Sequence, residues 1–164
     1  MVVMAMTAIM IAVTLVSFSG VRDRKTVEGE ARKFAATIRE VQNYALTGKE
    51  MATGRVTCGV GIGAIDADET AYRTTYIYRS GTNCDDSPTS AISTTNTLSN
   101  GVKFFNVVDA FYFKVPRGNL VDSARVAITT AQLIVLQKST ASYSVCVYPS
   151  GMVTETAGVL GSCP

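Results

Sequence analysis

The chain begins with a long apolar run that continues into a helical stripe. Residues 1–21 (MVVMAMTAIMIAVTLVSFSGV) carry no charged side chain, and a run of that length meets the roughly 18-residue requirement for a membrane-spanning helix. Beyond residue 22 the apolar positions recur every three or four residues, which is typical of one face of a helix. These positions, which we expect to pack on a domain, are Val27, Ala31, Phe34, Ile38, Val41 and Ala45. We therefore predict one continuous helix from residue 1 to about residue 46.

A secretory signal peptide is the main alternative for residues 1–21. A signal peptide has a basic start and a short apolar core, whereas this sequence opens on Met-Val-Val and keeps its helical periodicity beyond Arg22. By the positive-inside rule, Arg22, Arg24 and Lys25 favour a cytoplasmic flank, which conflicts with a disulfide-bearing domain on the other side. A basic leader ahead of Met1 would remove this conflict.

After Gly48 the hydrophobic period changes to two, which predicts a β domain. Residues 72–79 alternate cleanly between two faces. The Pro and Gly residues in 116–119 and 149–151 are typical of tight turns, so each predicts a hairpin. The further predicted strands cover 56–62, 102–108, 111–115, 124–129, 132–137, 143–148 and 152–156. The predicted fold is α+β, with an apolar helix at 1–21, its amphipathic continuation at 22–47, and an antiparallel β domain at 48–164 on which the helix packs.

Segment 87–100 (SPTSAISTTNTLSN) is predicted to be an exposed loop. Ser and Thr make up most of it, which is typical of a solvated connector. A glycosylated or partner-binding surface is the alternative. The chain has no Asn-x-Ser/Thr acceptor, so any sugar would have to be O-linked.

All four cysteines lie beyond the predicted helix, at Cys58, Cys84, Cys146 and Cys163. An even number in a small extracytoplasmic domain indicates two disulfides. Three pairings are open, and we favour Cys58 with Cys84 and Cys146 with Cys163, each of which closes a short loop. No pair has the spacing of a zinc or thiol-redox site, and the chain has no His.

Candidate chemistry adds little to this picture. Without His there is no His-based catalytic triad, and the glycines of 59–63 are better explained by a strand bulge than by a phosphate loop. Asp66 and Asp68 match the start of a calcium loop, but the later Gly and Glu are missing, so an acidic turn is favoured. We expect no enzyme activity and no cofactor. The net charge of +2 and an uncharged C-terminal segment also disfavour nucleic acid as a partner.

The whole pattern resembles a type IV pilin or pseudopilin. Three segments are similar to the helix end, the mid-domain turn and the last hairpin of the H-type pseudopilin branch, namely 34–45 (FAATIREVQNYA), 113–118 (FKVPRG) and 145–153 (VCVYPSGMV). Mature members of this family usually begin with a Phe-Thr-Leu-Ile-Glu-like segment. This chain departs from that pattern, because its first four residues resemble those that follow the segment.

The resemblance implies a structural subunit of an extracellular filament that polymerises through bundled helices. Such a subunit is anchored in the inner membrane before pilus or secretion assembly machinery places it in a cell-surface filament or a periplasmic pseudopilus. The alternatives are a minor pseudopilin of a type II secretion system and a DNA-binding minor pilin. The implied filament-core residues are Met1, Val2, Val3, Met4, Met6, Ile9, Met10, Val13, Leu15, Val16 and Phe18.

Overall fold

A single long helix opens the fold. The computed structural model describes residues 2–48, 56–79, 84 and 90–164, with the side chains of the helix described from Gly20 onward. Helix α1 spans Val2–Thr47, close to the predicted bounds, and at 1.5 Å per residue it is about 69 Å long. Gly48 follows it with a φ of 61°, the left-handed conformation that commonly ends a helix.

The described residues after the helix form nine strands in two antiparallel sheets. The strands are β1 (Val56–Ile62), β2 (Ala71–Arg79), β3 (Ser90–Thr97), β4 (Lys103–Phe104), β5 (Phe111–Lys114), β6 (Asn119–Asp122), β7 (Gln132–Lys138), β8 (Ala141–Val147) and β9 (Val153–Ala157). Their orders are β3-β2-β1-β5-β6 and β4-β7-β8-β9. The protein is therefore α+β, with one N-terminal helix packed on antiparallel sheets.

Helix α1 packs against both sheets through its apolar stripe. It contacts β1 and β5 of the first sheet and β7, β8 and β9 of the second. Phe34 lies within this interface, with ring centroids 4.9 Å from Tyr72 and 5.3 Å from Phe104 in edge-on geometry. The six stripe positions, each at most 1% exposed, are Val27, Ala31, Phe34, Ile38, Val41 and Ala45.

Strand β1 lies between β2 and β5, and its glycines have structural roles. The register against β2 shifts between Thr57 and Gly59, which marks the kind of bulge predicted for this run. A Cβ on Gly61 would overlap the carbonyl oxygen of Phe111 and lie 2.6 Å from the Cα of Tyr112. Glycine at position 61 therefore permits the close approach of β5.

The prediction of a loop was wrong for residues 90–97. These residues form β3, which pairs with β2 from Ser90 opposite Tyr78 to Thr97 opposite Ala71. Because most of its side chains are exposed on both faces, the strand lacks the alternation of apolar and polar residues that a half-buried strand shows. Residues 87–89 of the predicted loop lie outside the described part of the chain.

The prediction of a strand over residues 124–129 was also wrong. Arg125 has a φ of 64°, which is incompatible with an extended strand. Only Ala127 pairs, in an isolated bridge with Val121. Strand β6 was not predicted, but it completes a hairpin with β5 around the predicted turn at 116–119.

The strand predicted over 102–108 is reduced to the two residues of β4. Beyond β4, the side chain of Asn106 bonds to the backbone of β7 where backbone pairing would otherwise continue. Its amide nitrogen donates to the Leu133 carbonyl at 2.7 Å. Its amide oxygen accepts from the Val135 nitrogen, also at 2.7 Å. The predicted hairpin at 149–151 is present, between β8 and β9.

Candidate functional site

Helix α1 and the surface that surrounds it form the candidate functional site. The predicted filament-core positions from residue 1 to residue 18 precede the first described side chain, so their contacts lie outside the described residues. Within the described part of the chain, no helix combines the length and the apolar character needed to cross a membrane.

The described side chains of α1 show where the β domain begins to cover the helix. Gly20, Val21 and Arg22 are exposed, with Val21 at 58%. Val27 is the first buried residue among the described side chains of α1, and Ala45 is the last. The β domain therefore covers roughly the second half of the described helix.

An ion pair lies just ahead of this buried part. Lys138, at the end of β7, places its Nζ 3.0 Å from Asp23 Oδ1. Ser139, in the turn that follows, donates a hydrogen bond to Asp23 Oδ2 at 3.1 Å. The hydrogen bond from Lys138 is the main cause of a lowered pKa of Asp23. These contacts join α1 to the β7–β8 turn just before the buried part of the helix.

A buried carboxylate lies on the packed face of the helix. Glu30 is 4% exposed and accepts hydrogen bonds from the Ser99 nitrogen at 3.1 Å and the Ser99 hydroxyl at 3.0 Å. Lys33 Nζ lies 2.7 Å from Glu30 Oε1. Burial acts to raise the pKa of Glu30, but the hydrogen bonds from Lys33 and Ser99 outweigh it and hold the pKa below its ordinary 4.5. Glu30 thus joins the helix to the segment after β3.

We predict that Glu30→Gln lowers the free energy of unfolding at neutral pH by about 1 kcal/mol, since a neutral amide accepts weaker hydrogen bonds. Because folding lowers this pKa, the contribution of Glu30 is present above its ordinary pKa of 4.5 and is lost as pH falls through the lower folded value. The difference between variant and wild type should therefore shrink on acidification. Urea unfolding at about pH 7 and about pH 3 measures it.

Glu28→Gln is the matched control, because Glu28 pairs with Lys25 and Arg32 on the surface of the same helix. This control should change the free energy of unfolding by less than about 0.5 kcal/mol at either pH. A Glu30→Gln difference that stays constant between the two pH values would contradict the prediction.

Two further contacts hold the helix to the sheets. Arg39 lies 2.7 Å from a carboxylate oxygen of Glu155 in β9 and donates to the Val153 carbonyl at 3.2 Å. The hydroxyls of Thr37 and Tyr72 are 3.2 Å apart, which links the helix to β2. Polar contacts thus accompany the apolar stripe along the helix.

Sequence reasoning missed Glu30 as a structural residue, although a signal was present. Glu30 lies three residues after Val27 and four before Phe34, so it falls on the same helical face as the apolar stripe. A charged residue on a buried face needs partners. The identity of the partner, Ser99, depended on the path of the chain after β3 and could not be predicted from helical spacing.

The predicted disulfide pairing is present. Cys58 in β1 is bonded to Cys84 with a Cα separation of 5.4 Å. Cys146 in β8 is bonded to Cys163 with a Cα separation of 5.8 Å. One disulfide therefore belongs to each sheet.

Asp66 and Asp68 lie in a turn between β1 and β2. The φ of Asp68 is 66°, and its backbone nitrogen donates to the Phe104 carbonyl at 2.7 Å. Within the described ranges, no three His, Cys, Asp or Glu side chains come together as a metal site would require.

Comparisons of the chain with protein-family models, with curated proteins and with solved structures find no match.

Proposed function

We propose that this protein is a pilin-like structural subunit of a type IV pilus-like filament. The observation that carries the proposal is the extent of α1, one unbroken helix over Val2–Thr47. Among its described side chains, which start at Gly20, the first buried one is Val27. About 25 helical residues, or roughly 37 Å, precede that point. The first 21 residues of the chain have no charged side chain, so we expect them to supply the apolar surface for bundling.

The packing of the helix supports a role in assembly. Buried apolar residues and contacts at Asp23, Glu30 and Arg39 attach α1 to the β domain from Asp23 onward. The position of the preceding part of the helix therefore fixes the position of the domain. Repeated heterologous contacts that do not close on themselves generate a helical filament. Burial of apolar surface between bundled helices would stabilise the filament by about 25 cal/mol per Å². The methionines of the apolar segment have flexible side chains that adapt to such packing.

The proposed location is the inner membrane before assembly, followed by a cell-surface filament or a periplasmic pseudopilus. In lipid the apolar residues of the helix would be solvated until the assembly machinery transfers the subunit into the filament. The two disulfides support exposure of the β domain to an oxidising compartment.

Ala8→Asp and Val13→Asp test the proposed function. We expect each to abolish filaments, because a carboxylate at the centre of an apolar helix costs about 2.5–3.5 kcal/mol in a membrane-like environment. The measurement is electron microscopy of filaments sheared from cells, with mass spectrometry of their main band. A main band of this chain identifies a major subunit, and a trace amount identifies a minor one.

Ala36→Asp is the matched control, because Ala36 is exposed on the second half of the helix. Filaments of normal yield are expected from this variant. The unfolding of the β domain should be unchanged in all three variants. Filaments of normal yield from Ala8→Asp or Val13→Asp would refute the proposed function.

A further inference from the structure

The two sheets end in four edge strands, β3, β6, β4 and β9. Three of them, β4, β6 and β9, have features that limit pairing with another chain. Sheet edges expose unpaired N–H and C=O groups that can pair with another strand, and proteins limit this with short strands, charges, bulges or covering segments. Strand β4 has only two residues. Strand β6 has four and is partly covered by the bridge between Val121 and Ala127. Strand β9 has five and carries Glu155, paired with Arg39.

Within the part of the chain that the structure describes, strand β3 has none of these features. It has eight residues (SAISTTNT), with no charged residue and no Pro, and it pairs with β2 in eight consecutive positions without a register shift. On its other side, no strand among the described residues pairs with it. Seven of the eight side chains are exposed.

Strand β3 is also held in an extended conformation suitable for pairing. The Thr75 and Ser93 hydroxyls are 2.9 Å apart, and the Asn96 amide donates to the Thr74 hydroxyl at 3.0 Å. Half of its residues are β-branched, which favours strands. Side-chain hydrogen bonds therefore add to the backbone pairing that holds β3 against β2.

We propose that β3 is an interface for a second copy of this chain, formed by antiparallel pairing of the two β3 edges. Strand β3 can pair with β3 of a second copy because it has no charged residue, so no register of that pairing places like charges opposite each other. A strongly charged partner strand would find no complementary charge within β3. The pairing would join two five-stranded sheets into one. It is independent of the proposed filament, because two subunits outside a filament can also form it.

The geometry of the pairing follows from strand symmetry. Opposite residues of an antiparallel pair project on the same face of a sheet, and a two-fold axis perpendicular to the sheet keeps that face common to both copies. Residues 91, 93 and 95 share a face because side chains alternate along a strand. In a register centred on Ser93, Ala91 of one copy lies opposite Thr95 of the second copy.

Charged double variants of the full chain in detergent micelles test this interface. One variant is Ala91→Lys with Thr95→Lys, and the other is Ala91→Glu with Thr95→Glu; both positions are exposed. We expect the wild type to dimerise as its concentration rises in sedimentation experiments. Each charged variant should weaken the dimer by about tenfold or more, because like charges then face each other.

An equal mixture of the lysine and glutamate variants should regain the dimer, because opposite charges then lie across the interface. Misfolded copies could not regain it, so recovery also shows that both variants fold. Val107→Lys with Val126→Lys is the control, since both valines are more than 60% exposed and lie outside β3, and it should dimerise like the wild type. A monomeric wild type, unweakened charged variants or a mixture that stays monomeric would each overturn the proposal.

Discussion

Phe34→Ala is expected to lower the free energy of unfolding by about 4 kcal/mol, the largest effect that we predict for a single substitution. Phe34 is fully buried, with 0% exposure, and its ring is in edge-on contact with Tyr72 and Phe104. The substitution removes apolar contacts and leaves a cavity between the helix and both sheets. Urea unfolding of the full chain in detergent, followed by circular dichroism, measures the change.

Phe105→Ala provides the control for the loss of an aromatic ring. Phe105 neighbours Phe104 in sequence but is 54% exposed, so its substitution should cost less than about 1 kcal/mol. Equal losses in Phe34→Ala and Phe105→Ala would mean that the stripe of α1 contributes no more to stability than an exposed ring does.

Removal of the Cys146–Cys163 disulfide by a double Cys→Ala substitution is expected to cost about 3 kcal/mol. The bond closes a loop with a sequence separation of 17. In the chain-entropy model, closing a loop of that length stabilises the folded state by about 3 kcal/mol. Cys146 is also buried, at 1% exposure. The free energy of unfolding of the variant and the wild type, both without reductant, gives the difference.

The same measurement with a strong reductant supplies the control. Reductant should destabilise the wild type by the sum of two disulfides, but the variant only by the contribution of Cys58–Cys84. That bond has a sequence separation of 26, which corresponds to about 3.5 kcal/mol. If the variant and the oxidised wild type unfold at the same urea concentration, the C-terminal disulfide does not stabilise the fold.

The helix was the most predictable element, because its signal is local and long. Apolar residues at spacings of three and four between Val27 and Ala45 mark a face that only a helix aligns. Gly48 then supplies the left-handed residue that ends the helix. The pattern does not identify the surface that covers this face, so the contact with two sheets emerged only from the structure.

The strands were less predictable, because several are set by distant partners. Strand β3 has no alternation to detect, and its extended form depends on eight consecutive pairs with β2. Asn106 stops β4 by bonding to the backbone of β7, a contact between residues more than 25 positions apart. Neither the existence of β3 nor the end of β4 follows from the composition of its own segment.

The contacts between helix and sheets also determine how the molecule would respond to tension. The buried stripe and the contacts at Asp23, Glu30 and Arg39 are distributed along the helix axis. A force that pulls α1 along that axis therefore acts on these contacts in parallel, as shear, and must strain them together. A force that lifts the helix sideways would break them one after another, so the attachment resists axial pulling better than peeling.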